Sequence, residues 1–113
     1  MRGIRRRAAV GLIAVLAGVS PALADPAVHD VRQHDKAFHP DHLAITVGDR
    51  VVLHNDDKRT HNIRVFHPKL KFDSGKQAPG EPVEIAFDAP GTYYVTCGIH
   101  TQMELKVEVA PAD

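Results

Sequence analysis

From Leu43 onward apolar residues alternate with polar or small ones, and a period of two confines this chain to β-structure. Leu43-Ala44-Ile45-Thr46-Val47 alternates and is closed by the turn pair Gly48-Asp49. Arg50 to His54 follows with a β-branched centre and ends in Asn55-Asp56-Asp57. Ile63 and Val65 alternate with Asn62 and Arg64, and Val83, Ile85 and Phe87 alternate with Glu84 and Ala86 before the turn at Pro90-Gly91. Tyr93 to Cys97 and Leu105 to Val109 complete the series, with Lys106 and Glu108 facing outward. Turn signals recur about every 8–12 residues, which predicts an all-β sandwich or barrel. Asp25 to Phe38 is expected to supply a first strand running toward Phe38, and His67 to Pro82, with two prolines and two glycines before Pro82, is expected to be loop.

The first 24 residues read as a cleaved signal peptide. Arg2, Arg5, Arg6 and Arg7 form a basic head, Ala8 to Val19 is apolar, and Ala22-Leu23-Ala24 supplies the small-x-small cleavage pattern. The apolar run falls short of the roughly 20 residues that span a bilayer. Residues 25–113 then form one domain, expected in the periplasm and with no membrane span after cleavage.

The full chain has 14 basic and 14 acidic residues, and the leader holds four of the arginines and no acid. What remains is 10 basic against 14 acidic, a net −4. That balance argues against a nucleic-acid partner, which calls for a basic footprint, and suits solubility and a cationic partner. A domain this small buries only about 60–65% of its unfolded surface. A single cysteine in 113 residues rules out an internal disulfide. An exported domain of this size ordinarily pairs its cysteines, so the lone thiol calls for another use.

Metal ligation is that use. Cys97-Gly-Ile-His100-Thr-Gln-Met103 presents a thiolate, an imidazole and a thioether within seven residues, and Thr60-His61-Asn62 adds a second histidine upstream. This is a soft donor set, and two histidines and a cysteine with a weak axial methionine suit blue copper. Each residue alone has a plainer reading: a buried small hydrophobe for Cys97, core filler for Met103, a surface position for either histidine. The combination in this order points to one copper ion held by His61, Cys97, His100 and Met103.

Several further stretches carry a family resemblance: Phe38-His39-Pro40-Asp41-His42-Leu43, Val47-Gly48-Asp49-Arg50-Val51, Asn55-Asp56-Asp57, His61-Asn62 and Gly91-Thr92-Tyr93-Tyr94-Val95-Thr96-Cys97. With His100 and Met103 they cover most of Phe38 to Val109, and over that span the chain resembles the small cupredoxins, the blue copper family of plastocyanin, pseudoazurin and amicyanin. The two-residue gap between His100 and Met103 is the short ligand loop of the amicyanin type. The resemblance implies a Greek-key β-sandwich, equatorial ligands His61, Cys97 and His100, an axial Met103, and Asn62 as the brace of the ligand loop. It also implies that His100 faces solvent, where electrons exit, and that this histidine can leave Cu(I) in acid. Relatives often carry a proline beside this histidine, whereas Ile99 and Thr101 flank it here.

Four histidines near the start, His29, His34, His39 and His42, resemble a second metal site in composition only. Their odd spacings send neighbours to opposite faces of an extended strand, and His29 and His39, on one face, would stand roughly 33 Å apart. They are expected to be solvated surface residues, while His54 and His67, with no partner motif, are expected to be structural or exposed. Two functions fit a copper domain of this kind: a monomeric one-electron carrier between redox proteins, such as a c-type cytochrome or a periplasmic oxidoreductase, or a copper chaperone or store serving an exported cuproenzyme. An enzyme is not expected, because no oxyanion motif or orienting carboxylate pattern accompanies Cys97 and His100.

Overall fold

The computed structural model describes residues 25–112, so the predicted leader lies outside the described residues. Among the described residues nine strands form, the alternating stretches supplying six of them: β1 Val28–His34, β2 Ala37–His39, β3 His42–Thr46, β4 Arg50–Asn55, β5 Ile63–His67, β6 Leu70–Asp73, β7 Pro82–Ala86, β8 Gly91–Cys97 and β9 Glu104–Ala110. They make two sheets, ordered β2-β1-β4-β7 and β3-β9-β8-β5-β6. Most neighbours are antiparallel, but β1 runs parallel to β4 and β3 parallel to β9. The result is a two-sheet, all-β sandwich in one domain.

The pleat decides what fills it. On β9, Leu105, Val107 and Val109 are buried while Glu104 faces solvent, and β4 buries Val51 and Leu53 in the same rhythm. Facing residues from both sheets, among them Val31, Ile85, Val65, Tyr93 and Val95, close the core. Each such aliphatic side chain stabilises the fold by about 1.5–3 kcal/mol when removed from water.

Two polar groups pin the corners. Asp49, after the left-handed Gly48 (φ 95°), accepts hydrogen bonds from the N–H groups of Ala27 and Thr46 and pairs with His29 Nε2 at 2.9 Å. Its carboxyl is held below the ordinary value, first by His29 and then by those two amides, against the opposing pull of burial. The Tyr93 hydroxyl donates to the Ala89 carbonyl at 2.7 Å, and burial raises its pKa.

Two expectations are corrected. The segment expected as one strand toward Phe38 is a hairpin, because Asp35 and Lys36 adopt left-handed conformations (φ 54° and 57°) and turn the chain back on itself. Neither is glycine, so the usual turn signature is missing. The segment expected as loop contains β6, in which Leu70 and Phe72 pack against the core while Lys71 and Asp73 face outward. Four residues between turns are too few for an alternation to register.

Candidate metal centre

Three backbone segments converge at one end of the sandwich. The loop from Asn55 to Asn62 joins the two sheets and delivers His61 just before β5. Cys97 ends β8, paired in register with Ile63 of β5. The short turn after it carries His100 and Met103, closed by the Met103 N–H donating to the His100 carbonyl at 3.0 Å.

His61 Nδ1 lies 3.6 Å from Cys97 Sγ, His100 Nδ1 lies 3.8 Å from the same sulfur, and the two Nδ1 atoms are 3.2 Å apart. Metal–nitrogen bonds of about 2.0 Å and a metal–sulfur bond of about 2.3 Å, set at trigonal angles, separate their donors by roughly 3.5–3.7 Å. The donor set and its spacing therefore fit a single copper ion. His61, Cys97 and Met103 are essentially inaccessible, whereas His100 is only partly buried. Burial, then His61, Lys36 and Arg59, hold the His100 pKa below its ordinary value.

The sulfur is held by the backbone. The N–H groups of Asn62 and His100 approach Cys97 Sγ at 3.4 and 3.5 Å, contacts that stabilise a thiolate and tune a copper potential. Asn62 also accepts the Gly98 N–H at its carbonyl, while its side-chain amide donates to Asp73 Oδ1 at 2.7 Å and to the Gly75 carbonyl at 2.9 Å. It thus fastens the ligand loop through its backbone and ties that junction to β6 through its side chain. A Cβ on Gly98 would collide with Asn62 Oδ1 and come within 2.7 Å of the Arg64 guanidinium. Any larger residue there must displace the Asn62 and Arg64 side chains.

Two residues around His61 lie outside the ligand set expected from the sequence. Gln77 lies in the stretch expected as loop, yet it is buried and exchanges two backbone hydrogen bonds with His61, at 2.7 and 3.0 Å. Asp57, in the turn cluster Asn55-Asp56-Asp57, turns its carboxylate inward to accept His61 Nε2–H at 2.7 Å. Burial opposes the charge on Asp57, but His61 and the N–H groups of Asp35 and Lys36 outweigh it and hold the pKa below the ordinary value.

The early histidines stay apart from this centre. His29 pairs with Asp49, His42 with Glu108 at 2.6 Å and His54 with Asp30 at 2.8 Å. The hairpin overturns the extended-strand spacing for one pair: His34 and His39 stack with ring centroids 3.9 Å apart. Among the described residues, the cluster of three metal-binding side chains is His61, Cys97 and His100.

Fold and centre together define a class: small β-sandwich proteins whose clustered His, Cys and Met side chains are consistent with a type-1 copper site. Residues 6–109 match the model of the cupredoxin-like domain. The chain belongs to the cupredoxin-like family. It is 29% identical over 112 residues to a putative pseudoazurin of Rhizobium leguminosarum bv. viciae, covering 92% of this chain and 72% of that one. Among solved structures, a purple cupredoxin from Nitrosopumilus maritimus aligns with a TM-score of 0.63 and 26% identity, over 73% of this chain and 99% of that one. A Cu(I) amicyanin variant shares the fold with a TM-score of 0.69 at 22% identity, over 83% and 88% of the two chains. A copper-containing nitrite reductase from Thermus scotoductus SA-01 matches 82% of this chain with a TM-score of 0.67 and 27% identity, but this chain spans only 24% of that enzyme.

Proposed function

We propose that this protein is a periplasmic one-electron carrier, with one type-1 copper held by His61, Cys97 and His100 and, axially, by Met103. The observation that carries the reading is the convergence of His61 Nδ1, His100 Nδ1 and Cys97 Sγ within 4.8 Å of one another. Copper bound there would supply a one-electron couple between Cu(I) and Cu(II).

The chain's own residues do the rest. Anchored from three backbone segments, His61, Cys97 and His100 have little freedom to rearrange, which suits a site that must change charge without changing shape. The two N–H contacts to Cys97 Sγ oppose loss of the thiolate. Burial of His61, Cys97 and Met103 excludes water, leaving the partly buried His100 as the edge where an electron enters or leaves. Export to the periplasm rests on the basic head and apolar run of residues 2–24.

Delivery of copper as a chaperone would be favoured by spare histidines free to take the metal and by a loose ligand loop. Histidines engaged with carboxylates and a loop closed by the Met103–His100 hydrogen bond support the carrier instead. Electron self-exchange of the copper-loaded protein, followed by NMR line broadening, tests the choice beside a competition for Cu(I) with an excess of bathocuproine disulfonate. Fast exchange with retained copper is expected. Slow exchange with ready loss of Cu(I) to the chelator would favour delivery.

A further inference from the structure

The Asp57 carboxylate is fully engaged. Oδ2 accepts His61 Nε2–H at 2.7 Å and the Lys36 N–H at 3.2 Å, and Oδ1 accepts the Asp35 N–H at 2.7 Å. Its side chain is 6% exposed. Its own N–H donates to Asn55 Oδ1 at 2.9 Å, and the Asn55 amide donates to the carbonyls of Arg59 and Gln77, at 2.8 and 3.1 Å. The arms of this frame end on the His61 ring, on backbone around His61 or on the hairpin turn between β1 and β2. The two residues of that turn, Asp35 and Lys36, both hold left-handed conformations without glycine. Such conformations persist where surrounding contacts over-determine them, and the carboxylate supplies those contacts by receiving both N–H groups.

Resting on the copper reading above, we propose that Asp57 is a positioning residue of the copper centre, and that through it the N-terminal hairpin becomes part of the site. An imidazole has two nitrogens, and a hydrogen bond at one decides which proton form the other presents to a metal. With Nε2–H given to Asp57, His61 turns an unprotonated Nδ1 toward Cys97 and His100. A carboxylate behind the ring also makes that nitrogen a more basic donor, which strengthens metal binding and favours the higher oxidation state. A net-neutral partner such as a backbone carbonyl would orient the ring equally but push less electron density onto it.

Asp57→Asn and Asp57→Ala separate orientation from charge, with Lys36→Gly as a control that relaxes the turn and leaves the carboxylate in place. The first readout is the His61 tautomer in the metal-free protein, from long-range 15N–1H NMR. The wild type and Lys36→Gly are expected to show Nε2–H alone, Asp57→Asn to keep it through the amide oxygen, and Asp57→Ala to mix tautomers. The second is Cu(II) affinity and reduction potential. Removal of the carboxylate is expected to weaken Cu(II) binding by about 10- to 100-fold and to raise the potential, with Asp57→Asn intermediate. An unchanged tautomer and unchanged Cu(II) affinity in Asp57→Ala, with only stability reduced, would overturn the proposal and leave Asp57 a turn brace. Should Asp57→Ala not fold, the same pair of measurements on Asp57→Asn decides: wild-type affinity and potential there would overturn it. If the wild type holds copper without a thiolate bond, the copper reading fails by itself, and the His61 tautomer still reports whether Asp57 orients the ring.

Discussion

His61 Nδ1 and His100 Nδ1 face one another across 3.2 Å, and the hydrogen bond from His61 Nε2–H to Asp57 leaves the first of them a lone pair. Two ring nitrogens and a sulfur aimed at one small volume are poor neighbours unless a cation sits between them. That arrangement is the physical core of the copper assignment, and the surrounding residues yield separate tests of it.

Met103 is buried at the end of the ligand loop. Met103→Leu keeps the volume, so the fold should lose less than about 1.5 kcal/mol. Removing the weak axial donor should favour Cu(I) and raise the reduction potential. Cyclic voltammetry beside chemical denaturation checks both. An unchanged potential would remove Met103 from the ligand set.

Gly98 sits where any Cβ would meet Asn62 and Arg64. Gly98→Ala should cost about 1–3 kcal/mol, the usual range for overpacking. The shift of Asn62 should also disturb its contact with Cys97 Sγ. Urea denaturation and the copper spectrum of the variant report the two effects.

Asp49 predicts an acid limit to stability. Its folded pKa lies below the ordinary 3.8. The unfolded chain therefore takes up the proton first as pH falls, and the contribution of Asp49 is complete above that value. It is lost as pH drops below 3.8 through the folded pKa. Asp49→Ala should be less stable by about 1–3 kcal/mol near neutral pH, because the Ala27 and Thr46 amides lose their acceptor. It should also show a shallower loss in acid, as measured by denaturation midpoints across pH.

The net charge of −4 suggested a cationic partner, but Lys36 and Arg59 lie close enough to His100 to depress its pKa. An electron route through His100, as proposed, would pass beside these two cations. Electron transfer from hexacyanoferrate(II) should slow as ionic strength rises, and transfer from hexaammineruthenium(II) should quicken. Lys36→Glu with Arg59→Glu should exchange the two trends, as followed by stopped-flow absorbance.

Much of this molecule was legible from residues alone. Six strands announced themselves because one face of each is core and the other water, and Cys97, His100 and Met103 stand together because one short turn carries them. The hairpin at Asp35 and Lys36 was hidden because left-handed backbone there depends on Asp57, which lies 21 and 22 residues downstream. The same distance concealed the stacking of His34 on His39. Gln77 read as loop because its pairing with His61 exists only once the chain has closed, and Asp57 read as turn because its type and spacing from His61 match an ordinary turn carboxylate.

The most direct test of the central claim is the absorption and EPR spectrum of residues 25–113 loaded with Cu(II), beside Cys97→Ala. The account predicts one copper per chain, an intense blue-region thiolate charge-transfer band and narrow copper hyperfine splitting, all lost in the variant. A pale, tetragonal Cu(II) signal that survives Cys97→Ala would contradict it, because the metal would then sit on histidines away from the sulfur.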